Sequence, residues 1–399
     1  METLTIVMTS TFYPPYHIGG DAMHVKYLAE ALGRAGHEVH VLHSIDAYRL
    51  KRGGAEPPRE ETSIRTHRLG SPAGRISPAL TYATGRNRSA ERALENLLRE
   101  ERPALVHHHN ISLLGVEVLR IGALPKLYTA HDYWLLCQRS DLLYRGEVCE
   151  HKRCLKCSVS SARPYQFWRR RLLARAIDSV DRIIAPSEFM SKLLREGLGA
   201  EPVVMRNFVP RPAGWEGGGG TAPHFVFASI LERHKGLELL IESFKRQRLY
   251  TELHVIGRGS LEPLVRQSER ETGGKVRHLG FVQHGELLRE IATSLCMVLP
   301  STWCENSPLS CIEALSLGRP LVVSRMGGLP ELVRDPECGI ACDLTAESIG
   351  AALRAIESDT SLRKRLSENA LSRYEAELTP ERYLEKYSDL VKEVLGSAS

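Results

Sequence analysis

The chain of 399 residues lacks any apolar run near the roughly 18 residues that a membrane-spanning helix needs. Its start, Met1 to Thr9, has no basic stretch and no small-residue cleavage site. No signal peptide is therefore expected, and the expected location is cytoplasmic, with the inner membrane face as the place for any peripheral contact. A disulfide framework is also absent from the pattern, because the nine cysteines are an odd number in a chain read as cytosolic. There is no internal repeat, and low complexity is confined to Gly217–Gly220. At 42% hydrophobic and 25% charged, the composition excludes a wholly disordered or collagen-like chain. Strong positive charge is missing too. Residues 1–206 hold 30 Lys and Arg against 22 Asp and Glu, a balance of +8, and the remainder holds 23 against 26, a balance of −3. That is too weak and too diffuse for a nucleic-acid binder, but it lets the first half face something anionic.

What is present is a regular alternation. Leu4–Thr9 is apolar and β-branched, as a strand buried on both faces should be. A loop ending in Gly19-Gly20, a helix over Ala22–Arg34 and a strand over Val39–His43 follow, which is the unit of a parallel α/β sheet. Further strands are predicted at 64–68, 104–108, 126–130, 182–186 and 203–206, with helices at 87–100, 163–179 and 188–196. Pro210, Pro212 and the glycine run break the pattern. It restarts with strands at 225–229, 253–256, 276–279, 296–299 and 321–324, separated by helices, and the tail from Ala346 reads as helix only. The fold class this implies is α/β: two doubly wound domains facing across a cleft, with the site between them and C-terminal helices.

The densest chemistry lies in Trp303-Cys-Glu305-Asn306-Ser307-Pro308-Leu309-Ser-Cys-Ile-Glu313-Ala314, which follows a strand and opens a helix. A helix start offers backbone N–H groups and a positive dipole end, which suit a phosphate. Pro308 is expected at the first helical position, where its missing N–H costs little. Glu305 and Glu313, eight positions apart, can each accept two hydroxyl hydrogen bonds, so sugar or ribose diols are natural partners. Lys235-Gly236 begins another helix after a strand, with Arg233 two positions earlier, and places an ammonium where a phosphate can use it. Gly257-x-Gly259 is half of a dinucleotide fingerprint.

In this order, with Gly318-x-Pro320 and Gly327-Gly328-x-Pro330-Glu331 behind them, these elements resemble the family 4 retaining glycosyltransferases of the GT-B fold. Gly19-Gly20, Val106-His-His-His109-Asn110, Thr129-Ala-His131-Asp132, Ala185-Pro-Ser187-Glu-Phe189 and Arg206-Asn207 are similar to that family's landmarks in the first half. The resemblance implies transfer of a sugar from a nucleotide-diphosphate sugar to a glycan, lipid-linked or small-molecule acceptor, with retained anomeric configuration and no metal needed for catalysis. It implies that Glu305 holds the donor sugar, that Glu313 holds the nucleotide ribose and that Lys235 meets the diphosphate. It assigns the stretch Asn306, Ser307, Pro308 and Leu309 to lining sugar and phosphate, Gly20 to a loop facing the phosphates, and His131 to the active site of the first domain. The leaving phosphate takes the acceptor proton, so no protein base is assigned. The implied organisation is an acceptor-side domain over 1–208, a linker over 209–222, a nucleotide-sugar domain over 223–375, and a helix over 376–399 packing back on the first domain. One departure stands out: the family's Arg five residues before the Lys is here Ile230, leaving Arg233 or backbone groups to supply the second contact.

Cys137, Cys149, Cys154 and Cys157 form C-x11-C-x4-C-x2-C directly after His131-Asp132. Four sulfurs in one short segment suit tetrahedral zinc, with an iron–sulfur cluster as the alternative metal reading and four reduced thiols as the plain one. Lys and His neighbours are expected to favour thiolates. A subset of the resembled family carries a cysteine-bearing insertion at this point. Tyr165 to Arg175 is basic and aromatic, read either as a solvated amphipathic helix or as a surface for an anionic membrane. Against the transferase reading stand a nucleotide-sugar epimerase of the same architecture and a catalytically silent scaffold carrying a metal module.

Overall fold

The computed structural model describes residues 3–53, 57, 63–149, 152–212, 223–247, 249–335 and 337–397. Residues 213–222 of the expected linker, including the glycine run, lie outside the described residues. The described chain forms two compact units, the first from residues up to 145, 149–205 and 380 onward, the second from 146–148 and 206–379.

The first unit is built on seven parallel strands: β1 (Thr5–Ser10), β2 (Glu38–Ser44), β3 (Arg65–Leu69), β4 (Leu105–His108), β5 (Lys126–Thr129), β6 (Arg182–Ala185) and β7 (Val203–Val204). Their spatial order is β3-β2-β1-β4-β5-β6-β7. Ile6, Val7, Met8, Val106 and Ile184 are buried, because helices cover both faces of a parallel sheet. The helices start where the sequence supplies an oxygen for a free N–H: the Asn87 side chain accepts from Ala90 N at 3.1 Å and Ser187 Oγ from Met190 N at 3.1 Å. The C-terminal helix Pro380–Ser397 belongs to this unit, where Tyr387 Oη lies 3.1 Å from His107 Nδ1.

One helix is shorter than its pattern. The stretch 163–179 is helical only over Arg169–Ile177. Pro164 disfavours helix in the residue before it, and Gln166 is committed elsewhere, its Nε2 donating to Tyr82 O at 3.2 Å and its N–H to Gln138 Oε1 at 3.4 Å. Short helices at Ile45–Lys51, Ile76–Thr84 and Cys154–Ser160 have too few residues to show a period and were not expected.

The second unit repeats the plan with six parallel strands: β8 (His224–Ala228), β9 (Glu252–Ile256), β10 (Val276–Gly280), β11 (Cys296–Leu299), β12 (Leu321–Ser324) and β13 (Gly339–Cys342). Their order is β10-β9-β8-β11-β12-β13. In each sheet the order reverses once, between β1 and β4 and between β8 and β11. Ligands of open parallel sheets sit outside the carboxyl ends of the strands at such a reversal. The Gly19-Gly20 loop and Asn110 follow β1 and β4; Lys235 and Glu305 follow β8 and β11. After Ala346 the chain is helical, as the tail pattern indicated: Ala346–Ser358, Thr360–Arg373, a π turn at Tyr374–Leu378, then Pro380–Ser397.

Candidate active site

In the second unit, Lys235 ends a single 3-10 turn, Arg233–Lys235, and Gly236 closes it at φ 74°. A Cβ at that glycine would collide with the Pro300 carbonyl oxygen, so the turn can lie against the end of β11 only because residue 236 has no side chain. The Lys235 ammonium is 2.5 Å from Glu305 Oε1, with both side chains largely buried, and 4.9 Å from the centre of the Trp303 ring. A cation held between a carboxylate and a ring face is fixed in position.

The Glu305 loop is clamped from both sides. Gly328 N donates to Glu305 O at 2.7 Å, and a Cβ on Gly327, at φ 58°, would strike the same carbonyl. Asn207 Nδ2 donates to Ser307 O at 2.8 Å. Asn306 and Ser307 are buried. Pro308 stands one position earlier than expected: it caps the helix with extended backbone, ψ 126°, and its carbonyl accepts from Cys311 N at 3.1 Å. The helix proper is Leu309–Ser316, so the N–H groups of Leu309 and Ser310 come first at its positive end. Glu313, one turn in, is buried, and His284 Nε2 donates to its Oε1 at 2.8 Å. His284 opens the helix His284–Thr293 and is half exposed.

Gly257 and Gly259 follow β9. Their loop is tied to the turn after β8, where Leu231 N donates to Arg258 O at 2.9 Å, and to the end of β10, where Gly257 N donates to Gly280 O at 2.8 Å. Arg233 is not brought to the Lys235–Glu305 pair; its side chain is 82% exposed, 3.7 Å from Glu238. Ile230 is exposed.

In the first unit, Gly19 caps the helix Gly20–Arg34 at φ 86°, and Gly20 is its first residue. Asn110 Nδ2 reaches Asp21 Oδ2 at 2.9 Å and Asp132 Oδ2 at 3.3 Å. Burial raises the Asp21 carboxyl above its usual range and brings Asp132 up to about 7, the Asp21 charge adding to the second shift while the Trp134 N–H bond opposes it. His131 follows β5, partly buried, its Nε2 3.0 Å from His109 Nδ1. His24 meets His131 edge-on at 5.0 Å, and His107 lies 4.0 Å from His109. Burial pushes His131 down to about 3 and lowers His24, His107 and His109 as well, so this cluster is neutral at pH 7. Neutral imidazole can hydrogen-bond a hydroxyl but brings no charge to it. His108 faces the other way, its Nδ1 2.8 Å from Thr9 Oγ1, so the three-histidine run does not converge on one point.

Cys137 follows a 3-10 turn, Cys149 follows the strand Glu147–Val148, and Cys154 and Cys157 lie one turn apart on the helix Cys154–Ser160. Gln138 Nε2, next to Cys137, donates to Cys154 O at 2.9 Å and to Ser158 Oγ at 2.6 Å. The cationic neighbours do not prevail at Cys154: burial, then the charges of the other three thiols, push it up, against a smaller opposing effect of Arg169. Among the described residues, two groups bring three metal-ligating atoms within 4.8 Å of one another, His224, His254 and Glu290, and Glu38, His40 and Glu101; no three of the four cysteines do so.

Sequence reasoning gave no role to His284, Asp21 or the Trp303 ring. Trp303 and Asn207 carried a signal, being part of the conspicuous motifs. His284 carried none, since nothing near it in sequence points to Glu313.

Two parallel sheets, each with its candidate groups at the order reversal, define a GT-B fold. Residues 18–211 match the family described as Glycosyltransferase Family 4, and residues 218–373 match Glycosyl transferases group 1. These matches place the protein among glycosyltransferases of the family 4 type. The chain is 26% identical over 395 residues to a glycogen synthase of Mycobacterium tuberculosis, covering 93% of this chain and 90% of that one. Sucrose-phosphate synthase from Thermosynechococcus elongatus has the same fold with a TM-score of 0.76 at 19% identity, covering 99% of this chain and all of that one. Anabaena HepE, solved with UDP-glucose, superposes with a TM-score of 0.68 at 15% identity, over 99% and 100% of the two chains.

Proposed function

We propose that this protein transfers a hexose from a nucleotide-diphosphate sugar to a glycan or lipid-linked acceptor and retains the anomeric configuration. The observation that carries the reading is the buried Lys235–Glu305 pair at 2.5 Å, held at the order reversal of the second sheet beside a helix start and Glu313. HepE, of the same fold, is solved with UDP-glucose, and the mycobacterial relative bears the name of a sugar-polymerising enzyme, which supports a nucleotide-sugar donor.

In this reading the donor diphosphate lies against the Lys235 ammonium and the N–H groups of Leu309 and Ser310, which stabilise the charge that develops as the bond from sugar C1 to the phosphate oxygen breaks. Glu305 accepts hydrogen bonds from the sugar hydroxyls, and Glu313, oriented by His284, accepts those of the ribose. The acceptor oxygen attacks C1 from the face the diphosphate leaves, and its proton passes to a phosphate oxygen. His131, neutral, hydrogen-bonds a sugar hydroxyl. Gly20 lets backbone approach the phosphates, and Gly257 and Gly259 border the donor. Arg233 would join them only by turning away from Glu238. The test is the anomeric configuration of the product, read by NMR in the first seconds of turnover with the donor that gives nucleotide diphosphate release; an inverted product refutes retention, and an epimerised donor without transfer refutes the transferase reading.

The four cysteines are assigned a structural zinc, with Cys154 and Cys157 supplying the paired ligands from one helix face and Cys137 and Cys149 the others. A peripheral contact with anionic lipid is proposed nearby. Residues 152–177 hold eight Lys and Arg and no Asp or Glu. Leu155, Val159 and Phe167 are exposed there. Sedimentation with anionic vesicles at low salt tests this, and protein that stays in the supernatant removes it.

A further inference from the structure

We propose that Glu38, His40 and Glu101 of the first unit form a binding site for one divalent metal ion of the zinc type. Glu38 opens β2 and His40 stands two residues on, so both side chains leave the same face of the sheet. The β2–β3 register pairs His40 with Arg65 and Leu42 with His67, which puts His67 on that face too. Glu101 is the last residue of the helix Arg88–Glu101. His40 is fully buried, and its Nε2 has no hydrogen-bond partner among the described residues. That nitrogen lies 3.5 Å from Glu38 Oε1 and 3.5 Å from Glu101 Oε2.

This separation is too long for a good hydrogen bond and right for ligands sharing an ion. Bonds of about 2.1 Å in a tetrahedron set ligand atoms about 3.4 Å apart. The other ring nitrogen, Nδ1, is 3.0 Å from His67 Nε2. With its hydrogen on Nδ1, His40 turns a lone pair toward two carboxylates, an arrangement that gains attraction only when a cation stands between them. A second hydrogen bond of this kind orients histidine ligands in metal sites generally. The carboxyl end of the helix adds negative potential at Glu101. The competing cation is Arg65, 2.6 Å from Glu38 Oε1; its side chain is 66% exposed and can withdraw. One imidazole and two carboxylates leave a fourth position for water. Glu38 lies at the amino end of its strand, away from the carboxyl ends after which Gly20 and His131 stand, so the ion is structural.

The full chain, stripped of metal and dialysed against zinc ions at neutral pH, is analysed for bound zinc and for thermal stability, beside Glu101→Gln and Glu38→Gln. Both substitutions lie at partly exposed positions and are checked for folding by circular dichroism. All three are repeated in a Cys154→Ser/Cys157→Ser background to remove the thiol segment from the count. The site predicts that each carboxylate variant binds one equivalent less zinc than its parent in both backgrounds and, in the Cys154→Ser/Cys157→Ser background, loses the zinc-dependent rise in melting temperature. Variants that take up as much zinc as their parents overturn it.

Discussion

Removing the Lys235 ammonium is the sharpest perturbation of the proposed chemistry. Two consequences follow from its position 2.5 Å from Glu305 Oε1 in a buried setting. Lys235→Ala leaves the Glu305 carboxylate buried without its partner, and breaking a buried pair from one side costs about 3–5 kcal/mol of stability. It also removes a positive group aimed at the leaving diphosphate, and loss of one such preorganised group lowers turnover about 10²–10³-fold. The two effects separate in Lys235→Met/Glu305→Gln, which has no buried charge left at the pair. That variant should recover much of the lost stability and none of the activity. The assay is release of nucleotide diphosphate at saturating donor, run beside urea unfolding. Lys235→Ala that is folded and turns over within a few-fold of wild type refutes the phosphate role. Recovery of activity in the double variant does so as well, because it would show that the lysine acts only by neutralising Glu305.

Other consequences are accessible to the same preparations. Glu313→Ala should abolish measurable binding of the nucleoside diphosphate in calorimetry, and His284→Gln should weaken it about tenfold by freeing the carboxylate that His284 orients at 2.8 Å. Gly327→Ala should melt earlier and lose activity, since its Cβ would displace the Glu305 carbonyl. His43, His108 and His131 are held near 3 by burial, below the unfolded value of about 6.5. The unfolded chain therefore binds more protons than the folded one between those limits, and their contribution, full above 6.5, is lost as pH falls toward 3. Asp132, raised to about 7, works in the opposite sense, its contribution lost as pH rises from about 4 to 7. From pH 7 to 5 each of these three histidines costs about 2 kcal/mol and Asp132 returns about 2, so urea melts should show a net loss of at least roughly 4 kcal/mol, the lowered His24, His107 and His109 acting in the same direction. Protein purified without chelator or metal-binding tag should carry zinc at the four cysteines, lost in Cys154→Ser; less than a tenth of an equivalent in the wild type removes that assignment.

Much of the scaffold could be read from the chain because buried parallel strands are short apolar runs, and each run ends in a loop rich in glycine and chemistry. Lys235-Gly236 and Glu305-x7-Glu313 are legible for that reason: each sits directly after its strand, so sequence neighbours are also site neighbours. His284 is different. It reaches Glu313 from a helix that starts 29 residues earlier, and only the packing of two helices makes the contact. The Glu38–His40–Glu101 group likewise needs the strand register and the end of a distant helix. The unwound stretch from Pro164 to Trp168 is set by hydrogen bonds to Tyr82 and Gln138, which a local helical period does not contain. The strand Gly339–Cys342 went unread because four residues beginning in glycine give no period to detect.

The measurement that bears most directly on the transferase reading is a panel of UDP-, GDP- and ADP-sugars offered to the purified protein, following thermal shift and nucleotide diphosphate release. Stabilisation by one nucleotide family and turnover of its sugar are expected, both lost in Glu313→Ala. Folded protein that responds to no nucleotide would contradict the transferase reading.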